Sequence, residues 1–353
     1  MDFLSSSEDH GGINPQELNH FGISPKDLLD FSVNSNPFGP TQGVLKALQS
    51  VDISSYPDRE CLQLREELAI ANGVPPQHIL VGNGTSELIW LVCHALLNPG
   101  ESVLIVGPTF GEYRCAAERL GARVGEIRAV PPIFKPPLSE IIDAVAREQP
   151  RLVFLCNPNN PTGQYLEPDE IQRLLDACGP QTLLVLDEAY RAFASGQFFG
   201  SLPADNCLLL RSMTKDFAIA GLRLGYVLAT PGLIKRLKTF QPAWSVNGPA
   251  QAAGLAALAG IDYYHDTLAL LGPLSREFFA QLGSRGLALV PSRVHFGIIR
   301  LERPAKEIRA RLMAHSIQVR DCTSFGLPEY IRVSTRLRDE NQNFLNTLDL
   351  MHA

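Results

Sequence analysis

The sequence predicts an α/β protein with a large domain built on a mostly parallel sheet and a smaller C-terminal α+β domain. Two observations lead to this fold class. Between about residues 60 and 230, short apolar runs that end in Gly, Pro, Asn or Asp alternate with amphipathic segments, which is typical of an α/β domain. From about residue 241, an alanine-rich helical segment precedes mixed strand and helix patterns, which indicates a second, smaller unit.

Six apolar runs predict the buried strands of the large domain. They are HILVGNG, SVLIVGP, RLVFLCNP, TLLVLDEAY, NCLLLRS and LGYVLAT. Segments between them, such as SELIWLVCHALL and EPDEIQRLLDAC, have the apolar spacing of amphipathic helices. Because ligands of such sheets bind beyond the carboxyl ends of the strands, the polar residues that follow these runs are the candidate site.

The predicted domain boundaries divide the chain into three parts. An N-terminal arm covers residues 1–35, the large domain 36–240 and the small domain 241–353. With 45% apolar and 19% charged residues, the chain has the composition of a soluble globular protein. A net charge of −6 without any Lys/Arg-rich block argues against nucleic acid as a partner, and no segment approaches the roughly twenty strongly apolar residues of a membrane span.

The cysteines and the N-terminus predict a cytoplasmic protein. The seven cysteines contain no C-x-x-C pair, and several lie in apolar runs, which indicates buried free thiols in a reducing compartment. The histidines have no H-x-x-x-H spacing, so we expect no metal site. The first twelve residues are acidic and lack the apolar core of a signal peptide.

The segment LVGNGTSELI is a candidate phosphate site. A predicted strand leads into the Gly-Asn-Gly turn at residues 82–84, and Thr85 and Ser86 begin a helix. Unpaired N–H groups at a helix start, with hydroxyls beside them, bind phosphate. Glu87 stands where a dinucleotide fingerprint needs a third glycine, which argues against a Rossmann site. A simple turn is the alternative for this motif alone.

Two further motifs follow the next strands. CNPNNPTG, residues 156–163, contains two Asn-Pro steps, and prolines in such turns favour a rigid or cis backbone. In LLVLDEAY, Asp187 ends a buried strand and Tyr190 comes three residues later. A carboxylate at the mouth of a buried strand is desolvated unless a cation pairs with it. Structural turns, and a helix N-cap at Asp187, are the alternatives.

The segment SMTKDFAIAGLRLGY, residues 212–226, contains a lysine that follows two hydroxyl side chains. Lys215 comes shortly after Ser212 and Thr214, and twenty-eight residues after Asp187. An exposed lysine at a strand end would explain this segment alone. The four motifs, however, occur in one order and each follows a predicted strand, which turns and caps alone do not readily produce. Together they predict one chemical site at the carboxyl edge of the sheet.

These motifs together resemble the pyridoxal-phosphate (PLP) enzymes of the aspartate aminotransferase fold, fold type I, in the class I/II aminotransferase family. The resemblance extends over nearly the whole chain, from SVNSNPFGP through YPD, GNGTSE, NPNNPTG, DEAY and SMTKDFAIAGLRLGY to IRVSTR. It implies that PLP is the cofactor, that the protein is a decarboxylase or an aminotransferase, and that a homodimer shares its active sites.

The resemblance also implies roles for individual residues. Lys215 would form the Schiff base with the cofactor, and Asp187 would pair with the protonated pyridine nitrogen. Tyr190 and Asn160 would both form hydrogen bonds with the phenolic oxygen of the ring. Phe110 would lie on the ring face. The residues implied to bind the cofactor phosphate are Gly84, Thr85, Ser86, Ser212, Thr214, Arg223 and, from the neighbouring subunit, Tyr56. Lys215, Asp187 and Tyr190 are the implied catalytic residues.

Arginines are the main candidates for binding the substrate. Arg332 in YIRVSTR matches the family's arginine for a substrate anion, with Arg320 and Arg336 as candidates for a second anion. The planar guanidinium donates two parallel hydrogen bonds to a carboxylate or a phosphate. Asn36 and His10 complete the predicted substrate contacts. A solvated surface charge is the alternative for Arg336, and a histidine without a ligand is the alternative for His10.

The arm DHGGINPQELNHFGISPKDLLDFSVNSNPFGP resembles that of L-threonine-O-3-phosphate decarboxylase of cobalamin biosynthesis. The expected reaction is therefore decarboxylation of this amino acid to (R)-1-amino-2-propanol phosphate. The alternative is an aminotransferase acting on histidinol phosphate or another amino acid, since those enzymes share the core motifs. A DNA-binding regulator of this fold is a third class, but the chain lacks a helix-turn-helix segment and basic charge. The arginines do not decide the substrate, because they bind carboxylate and phosphate alike.

Overall fold

The computed structural model describes residues 11–194 and 204–352. Within these ranges the chain forms a mixed α/β structure, as predicted. The strands are β1 (Leu29–Asp30), β2 (Ile79–Gly82), β3 (Ser102–Gly107), β4 (Arg123–Arg128), β5 (Leu152–Cys156), β6 (Leu183–Asp187), β7 (Cys207–Ser212), β8 (Gly225–Leu228), β9 (Ala288–Leu289), β10 (Phe296–Arg300), β11 (Ile317–Gln318), β12 (Arg320–Asp321) and β13 (Tyr330–Ser334).

The helices of the same ranges alternate with these strands in the first two thirds of the chain. They are α1 (Pro15–Phe21), α2 (Gln42–Ser50), α3 (Leu62–Asn72), α4 (Gly84–Leu96), α5 (Glu112–Arg119), α6 (Leu138–Glu148), α7 (Pro168–Ala177), α8 (Pro231–Lys238), α9 (Gly248–Ala259), α10 (Ile261–Ser284), α11 (Ala305–Met313) and α12 (Arg338–His352). None of these helices is both long and apolar enough to cross a membrane.

The large sheet has seven strands in the order β2-β8-β7-β6-β5-β3-β4. β8 runs antiparallel to both of its neighbours, and the other pairs are parallel. All six predicted strands lie in this sheet, which confirms the prediction of a mostly parallel arrangement. β4 was not predicted, because its sequence RVGEIR contains no apolar run and its side chains are exposed or half-buried at the sheet edge.

Helices pack on both faces of this sheet, and each face has its own apolar core. The register of the central strands aligns their carboxyl ends, with Cys156 on β5 opposite Asp187 on β6. Asp187 in turn lies opposite Leu210 on β7. The loops that follow β5, β6 and β7 therefore leave the sheet side by side, which is the position that the sequence predicts for the site.

The small domain contains the antiparallel sheet β12-β13-β10-β9. Part of the predicted arm packs against this domain, since β1 pairs in parallel with β11 and Phe31 packs against the rings of Phe278 and Phe344. A bidentate ion pair joins Glu17 on α1 to Arg309 on α11. The positions of the domain boundaries remain predictions.

Candidate active site

A cavity of about 660 Å³ lies at the carboxyl edge of the large sheet. Its walls come from the loops after the central strands, from the small domain and from Gly11 and residues 32–34 of the predicted arm. Eight of the residues that the sequence predicts for the site line this one cavity. They are Ser86, Phe110, Asn160, Tyr190, Lys215, Arg223, Arg320 and Arg332.

The start of α4 and Arg223 form an anion-binding corner of the site. The residue before the helix, Asn83, makes no side-chain capping hydrogen bond, so the first N–H groups of α4 remain available. Gly84 has a φ of +80°, and a Cβ atom there would lie 2.8 Å from Nη2 of Arg223. Glycine is therefore required both by the backbone conformation and by the close approach of the guanidinium.

Two hydroxyl side chains lie at the end of β7, close to this corner. Oγ of Ser212 and Oγ1 of Thr214 are 2.7 Å apart, and the N–H of Thr214 donates to Ser212 Oγ at 3.1 Å. Both residues are buried. A Cβ atom on Gly225, which faces Ser212 across the β7–β8 pair, would lie 3.0 Å from the backbone nitrogen of Thr85. The β7–β8 pair thus lies directly against the start of α4.

Lys215 lines the cavity. Its backbone carbonyl accepts a hydrogen bond from the N–H of Asn36 at 2.8 Å. Burial, together with the positive charges of Arg332 and Arg223, lowers the pKa of Lys215 to about 8, against the opposing effect of the Asp187 charge. A lowered pKa leaves a larger fraction of the amine neutral, which a nucleophile or a base requires.

Asp187 is only 3% exposed at the end of β6. Its Oδ2 accepts a hydrogen bond from the hydroxyl of Tyr113 at 2.7 Å, and its Oδ1 accepts one from the N–H of Ala189 at 2.9 Å. Burial nevertheless raises the pKa of Asp187, although Tyr113 and Lys215 act in the opposite direction. A cation placed against this carboxylate would relieve the cost of its desolvation.

Arg332 joins the small domain to the loop after β5. Its Nη1 donates to Oδ1 of Asn160 and its Nη2 donates to the carbonyl of Ser32. The guanidinium also lies over the ring of Phe296, with Cζ 5.5 Å from the ring centroid. Nε is buried without a hydrogen-bond partner in the described part of the chain. The peptide bonds Asn157–Pro158 and Asn160–Pro161 are both cis.

Tyr190 is buried beside Arg332, and its ring packs edge-on against Phe296 with centroids 4.8 Å apart. Burial raises the pKa of Tyr190 to about 12, while the positive charge of Arg332 acts in the opposite direction. The phenol therefore keeps its proton at neutral pH and can donate a hydrogen bond. Arg320 lines the cavity further out, and its Nη2 donates to Ser324 Oγ at 2.6 Å.

Nine predicted site residues do not line this cavity in the described part of the chain. Five of them make the contacts described above, namely Gly84, Thr85, Asp187, Ser212 and Thr214. The remaining four are Asn36, Tyr56, Arg336 and His10. Arg336 donates to Glu340 at 2.9 Å, and Asn36 is buried with its amide donating to Thr267. Tyr56 is 81% exposed on the outer surface. His10 lies outside the described residues.

Two residues of the site were not predicted from the sequence. Asn34 lines the cavity with both amide atoms buried and its side chain beside Tyr190. It stands two positions before Asn36 in the same SVNSNPFGP motif, so the motif carried the signal but the sequence did not show which asparagine faces the cavity. Tyr113 is fully buried under the site, and its place in an ordinary helical pattern gave no signal.

The family model Aminotransferase class I and II matches residues 26–348. This chain belongs to that family. It is a PLP-dependent enzyme with the aspartate aminotransferase fold, as the sequence predicted.

Three similar proteins illustrate the match. A curated histidinol-phosphate aminotransferase from Symbiobacterium thermophilum is 36% identical over 89% of this chain and 88% of its own length. A crystal structure of histidinol-phosphate aminotransferase from Sinorhizobium meliloti with pyridoxal-5'-phosphate is 26% identical, with a TM-score of 0.88 over 96% of this chain and 95% of that one. A crystal structure of L-threonine-O-3-phosphate decarboxylase from Porphyromonas gingivalis is 28% identical, with a TM-score of 0.82 over 91% and 98% of the two chains.

These similarities correct the predicted reaction. The expectation of L-threonine-O-3-phosphate decarboxylase, with its assignment to the lyases and to cobalamin biosynthesis, is wrong. Curated relatives at 32–36% identity carry the name histidinol-phosphate aminotransferase, and so does the structural neighbour with a TM-score of 0.88. The prediction failed because it relied on the His-Gly-Gly arm, a short segment, whereas the family motifs of the core are common to both enzymes.

The side chains of the aminotransferase cavity fit PLP. The cofactor has a phosphate, a pyridine nitrogen that binds a proton, a phenolic oxygen and an aldehyde. The open start of α4 beside Arg223 suits the phosphate, and the buried Asp187 carboxylate suits a protonated ring nitrogen. The neutral form of Lys215 suits the aldehyde. Each group of the cofactor thus has a chemical counterpart in the described site.

Proposed function

We propose that this chain is an aminotransferase that transfers the amino group of histidinol phosphate, or of a closely similar amino compound, to a keto acid. The supporting observation is a single cavity that combines the amine of Lys215 with two arginines, Arg320 and Arg332. The amine can move protons, and the arginines can bind an anionic substrate. The 36% identity to a curated histidinol-phosphate aminotransferase favours this substrate class.

The cofactor site is proposed from the contacts described above. The N–H groups of Gly84, Thr85 and Ser86 at the start of α4, together with Arg223, would hold the phosphate. Ser212 and Thr214 would add hydroxyl donors to the same phosphate. When bound, PLP accepts the substrate's amino group and the electron pair released at the neighbouring carbon.

Asp187, Asn160 and Tyr190 would orient the ring. The Asp187 carboxylate would accept the proton of the pyridine nitrogen, with Tyr113 and Ala189 already donating to its two oxygens. Oδ1 of Asn160 accepts from Arg332, so the amide nitrogen of Asn160 is the atom left to donate toward the phenolic oxygen. Tyr190 would donate its hydroxyl proton to the same oxygen. Phe110, which lines the cavity, would cover the ring face by apolar contact.

Lys215 would move the proton at the reacting carbon. With a pKa lowered to about 8 by burial, Arg332 and Arg223, its Nζ can accept a proton in one step and return it in the next near neutral pH. Because Lys215 lies in the same cavity as both arginines, a substrate anion bound by Arg332 or Arg320 would stay within reach of this amine.

The substrate phosphate is the proposed ligand of the arginines. Arg332 is 5% exposed, and burial lowers its pKa. Its positive charge is therefore poorly solvated, and a bound anion would compensate for the missing solvation. Arg320 lines the same cavity and can bind the same anion. The planar fork of each guanidinium fits phosphate oxygens in pairs.

A second copy of the chain is the proposed partner. Tyr56 is 81% exposed, and its ring packs against that of Trp244 at an interplanar angle of 30° with centroids 4.7 Å apart. Trp244 is 46% exposed, and Ile53 and Phe240 nearby in sequence are also exposed. Exposed aromatic and aliphatic side chains of this kind are typical of protein interfaces. Covered by a second copy, Tyr56 could reach the partner's cofactor phosphate.

An amino-transfer assay tests the proposed function. The protein loaded with PLP is given histidinol phosphate labelled with ¹⁵N at its amino group, together with 2-oxoglutarate. The proposal predicts ¹⁵N-labelled glutamate and the ketone derived from histidinol phosphate, in equal amounts. Omission of 2-oxoglutarate should limit the product to one equivalent per cofactor. Unlabelled glutamate, or no glutamate at all, would refute the proposal.

A further inference from the structure

Tyr113 is a fully buried aromatic residue beside the cofactor site, with an exposed fraction of 0%. It lies near the start of α5, below the cavity wall, and its hydroxyl donates to Oδ2 of Asp187 at 2.7 Å. The second carboxylate oxygen, Oδ1, accepts from the backbone N–H of Ala189 at 2.9 Å. The carboxylate is therefore held at both oxygens by donors of the protein itself.

The ring of Tyr113 is fixed on two sides. It stacks on Phe154 of β5 with an interplanar angle of 11° and a centroid distance of 4.9 Å. Phe110, on the cavity wall, meets the same ring edge-on at 5.8 Å. A stacked ring between two aromatic neighbours cannot swing its hydroxyl away from Asp187, so the direction of the hydrogen bond is set by packing.

The hydroxyl remains a donor throughout the working pH range. Burial raises the pKa of Tyr113 well above its usual value, and the neighbouring charge of Asp187 raises it further. Tyr113 also affects Asp187, because its hydrogen bond lowers the pKa of Asp187 whereas burial raises that pKa. The phenol thus favours the ionised carboxylate without bringing a second charge into the site.

Other ionisable groups also face Asp187. The carboxylate of Glu188 raises the pKa of Asp187 and the amine of Lys215 lowers it. Glu188 is itself paired with Arg211, with Nε of the arginine 2.8 Å from Oε2. The thiol and phenol groups that interact with the charge of Asp187 are those of Cys156, Tyr190 and Tyr113. Of these groups, Tyr113 has the direct hydrogen bond.

We propose that Tyr113 is a positioning residue that keeps the Asp187 carboxylate ionised and oriented, so that the proton shared with the cofactor rests on the pyridine nitrogen and not on the carboxylate. This inference rests on the proposed role of Asp187 in the aminotransferase. It differs from a packing role, because it assigns the effect to one hydroxyl proton and not to the volume of the ring.

The test replaces Tyr113 with phenylalanine, which removes the hydroxyl and keeps the stacked ring. The matched control is Tyr264→Phe, because Tyr264 is 1% exposed, packs edge-on against Phe217 at 4.8 Å and accepts one hydrogen bond at its hydroxyl, from Thr41 N–H at 3.1 Å. Both variants are loaded with PLP labelled with ¹⁵N in the ring, and the ¹⁵N chemical shift is measured across pH.

The inference predicts that the ring-nitrogen signal of Tyr113→Phe moves toward the position of neutral pyridine, while that of Tyr264→Phe coincides with the parent. The kcat of Tyr113→Phe should fall about tenfold or more, since hydrogen bonds to charged groups are worth roughly 1.5–3 kcal/mol. In an Asp187→Asn background, the same Tyr113→Phe change should leave the ring-nitrogen signal where Asp187→Asn alone puts it.

A second variant covers the case that Tyr113→Phe does not fold. Incorporation of 3-fluorotyrosine at position 113 keeps the ring and gives a more acidic hydroxyl, which is a stronger donor. The ring nitrogen should then lose its proton at a higher pH than in the parent, which is the opposite direction to the change expected for Tyr113→Phe. A ring-nitrogen signal that coincides with the parent across pH in Tyr113→Phe, or in the 3-fluorotyrosine protein where Tyr113→Phe does not fold, would overturn the inference. Failure of the parent to transfer amino groups would instead refute the proposed function.

Discussion

Arg332 donates a hydrogen bond from Nη1 to the side-chain oxygen of Asn160, and so connects β13 of the small domain with the loop after β5 of the large sheet. Nη2 of the same guanidinium donates to the carbonyl of Ser32. The proposed substrate anchor is therefore bonded directly to a proposed cofactor contact. A displacement of the small domain would therefore disturb the hydrogen bond of Arg332 with Asn160.

The first prediction concerns the guanidinium group of Arg332. Arg332→Lys keeps the positive charge, but its single nitrogen cannot reproduce the contacts that Nη1 and Nη2 make separately with Asn160 and Ser32 while also binding a substrate anion. We expect kcat/KM for histidinol phosphate to fall about 10- to 100-fold, corresponding to roughly 1.5–3 kcal/mol for a lost charge-assisted pair. Steady-state kinetics with 2-oxoglutarate in excess measure this loss.

The control for this change is Arg338→Lys. Arg338 is an exposed arginine whose Nη1 lies 2.8 Å from Glu277, and an exposed ion pair of this kind contributes little. Its kcat/KM should stay within about twofold of the parent. Equal kcat/KM values for Arg332→Lys and Arg338→Lys would show that Arg332 does not bind the substrate.

The second prediction concerns the stability of the cofactor-free protein. The pKa of Lys215 is lowered from 10.5 to about 8, chiefly by burial. The unfolded chain therefore binds a proton that the folded chain has lost between these two pH values, and stability rises with pH across this window. Below about pH 8 the protonated lysine costs the folded state on the order of 3 kcal/mol.

Lys215→Met removes this buried charge. Urea unfolding should give a free energy of unfolding higher than that of the parent by up to about 3 kcal/mol at pH 7. The gain should shrink as the pH rises from 8 toward 10.5. Lys46→Met, on the exposed face of α2, serves as the control and should give no such pH-dependent gain. A Lys215→Met protein less stable than the parent at pH 7 would contradict the assignment.

The third prediction tests the shared site. If Tyr56 acts in the partner's site, a hybrid dimer of Lys215→Ala and Tyr56→Ala chains contains one site with both changes and one with neither. Refolding an equal mixture of the two variants should therefore restore about a quarter of the parent's sites by statistical pairing. Activity after mixing equal to the mean of the separate variants would show that each chain acts alone.

Much of this site could be predicted from the sequence, because it forms where parallel strands end. The strands β2, β5, β6 and β7 are apolar runs, and their carboxyl ends must meet at one edge. The order of the motifs therefore predicted that their residues share one site. In the structure one cavity is lined by Ser86, Asn160, Tyr190 and Lys215.

Details that depend on packing between distant segments could not be predicted. Asn34 and Asn36 are asparagines of the same short motif, and nothing in the sequence shows that Asn34 and not Asn36 lines the cavity. The hydrogen bond from Tyr113 to Asp187 joins residues 74 positions apart, and no local pattern encodes it. Arg336 looked like a ligand by proximity in sequence, but an (i, i+4) contact pairs it with Glu340.

The most direct test of the whole account is to locate the covalent bond to the cofactor. Borohydride reduction of the PLP-loaded protein, followed by peptide mapping with mass spectrometry, should find one pyridoxyl group per chain on Lys215. The absorbance band of the bound cofactor should disappear in the same step. A pyridoxyl group on any other lysine, or a loaded protein that yields no modified peptide, would contradict the proposed site.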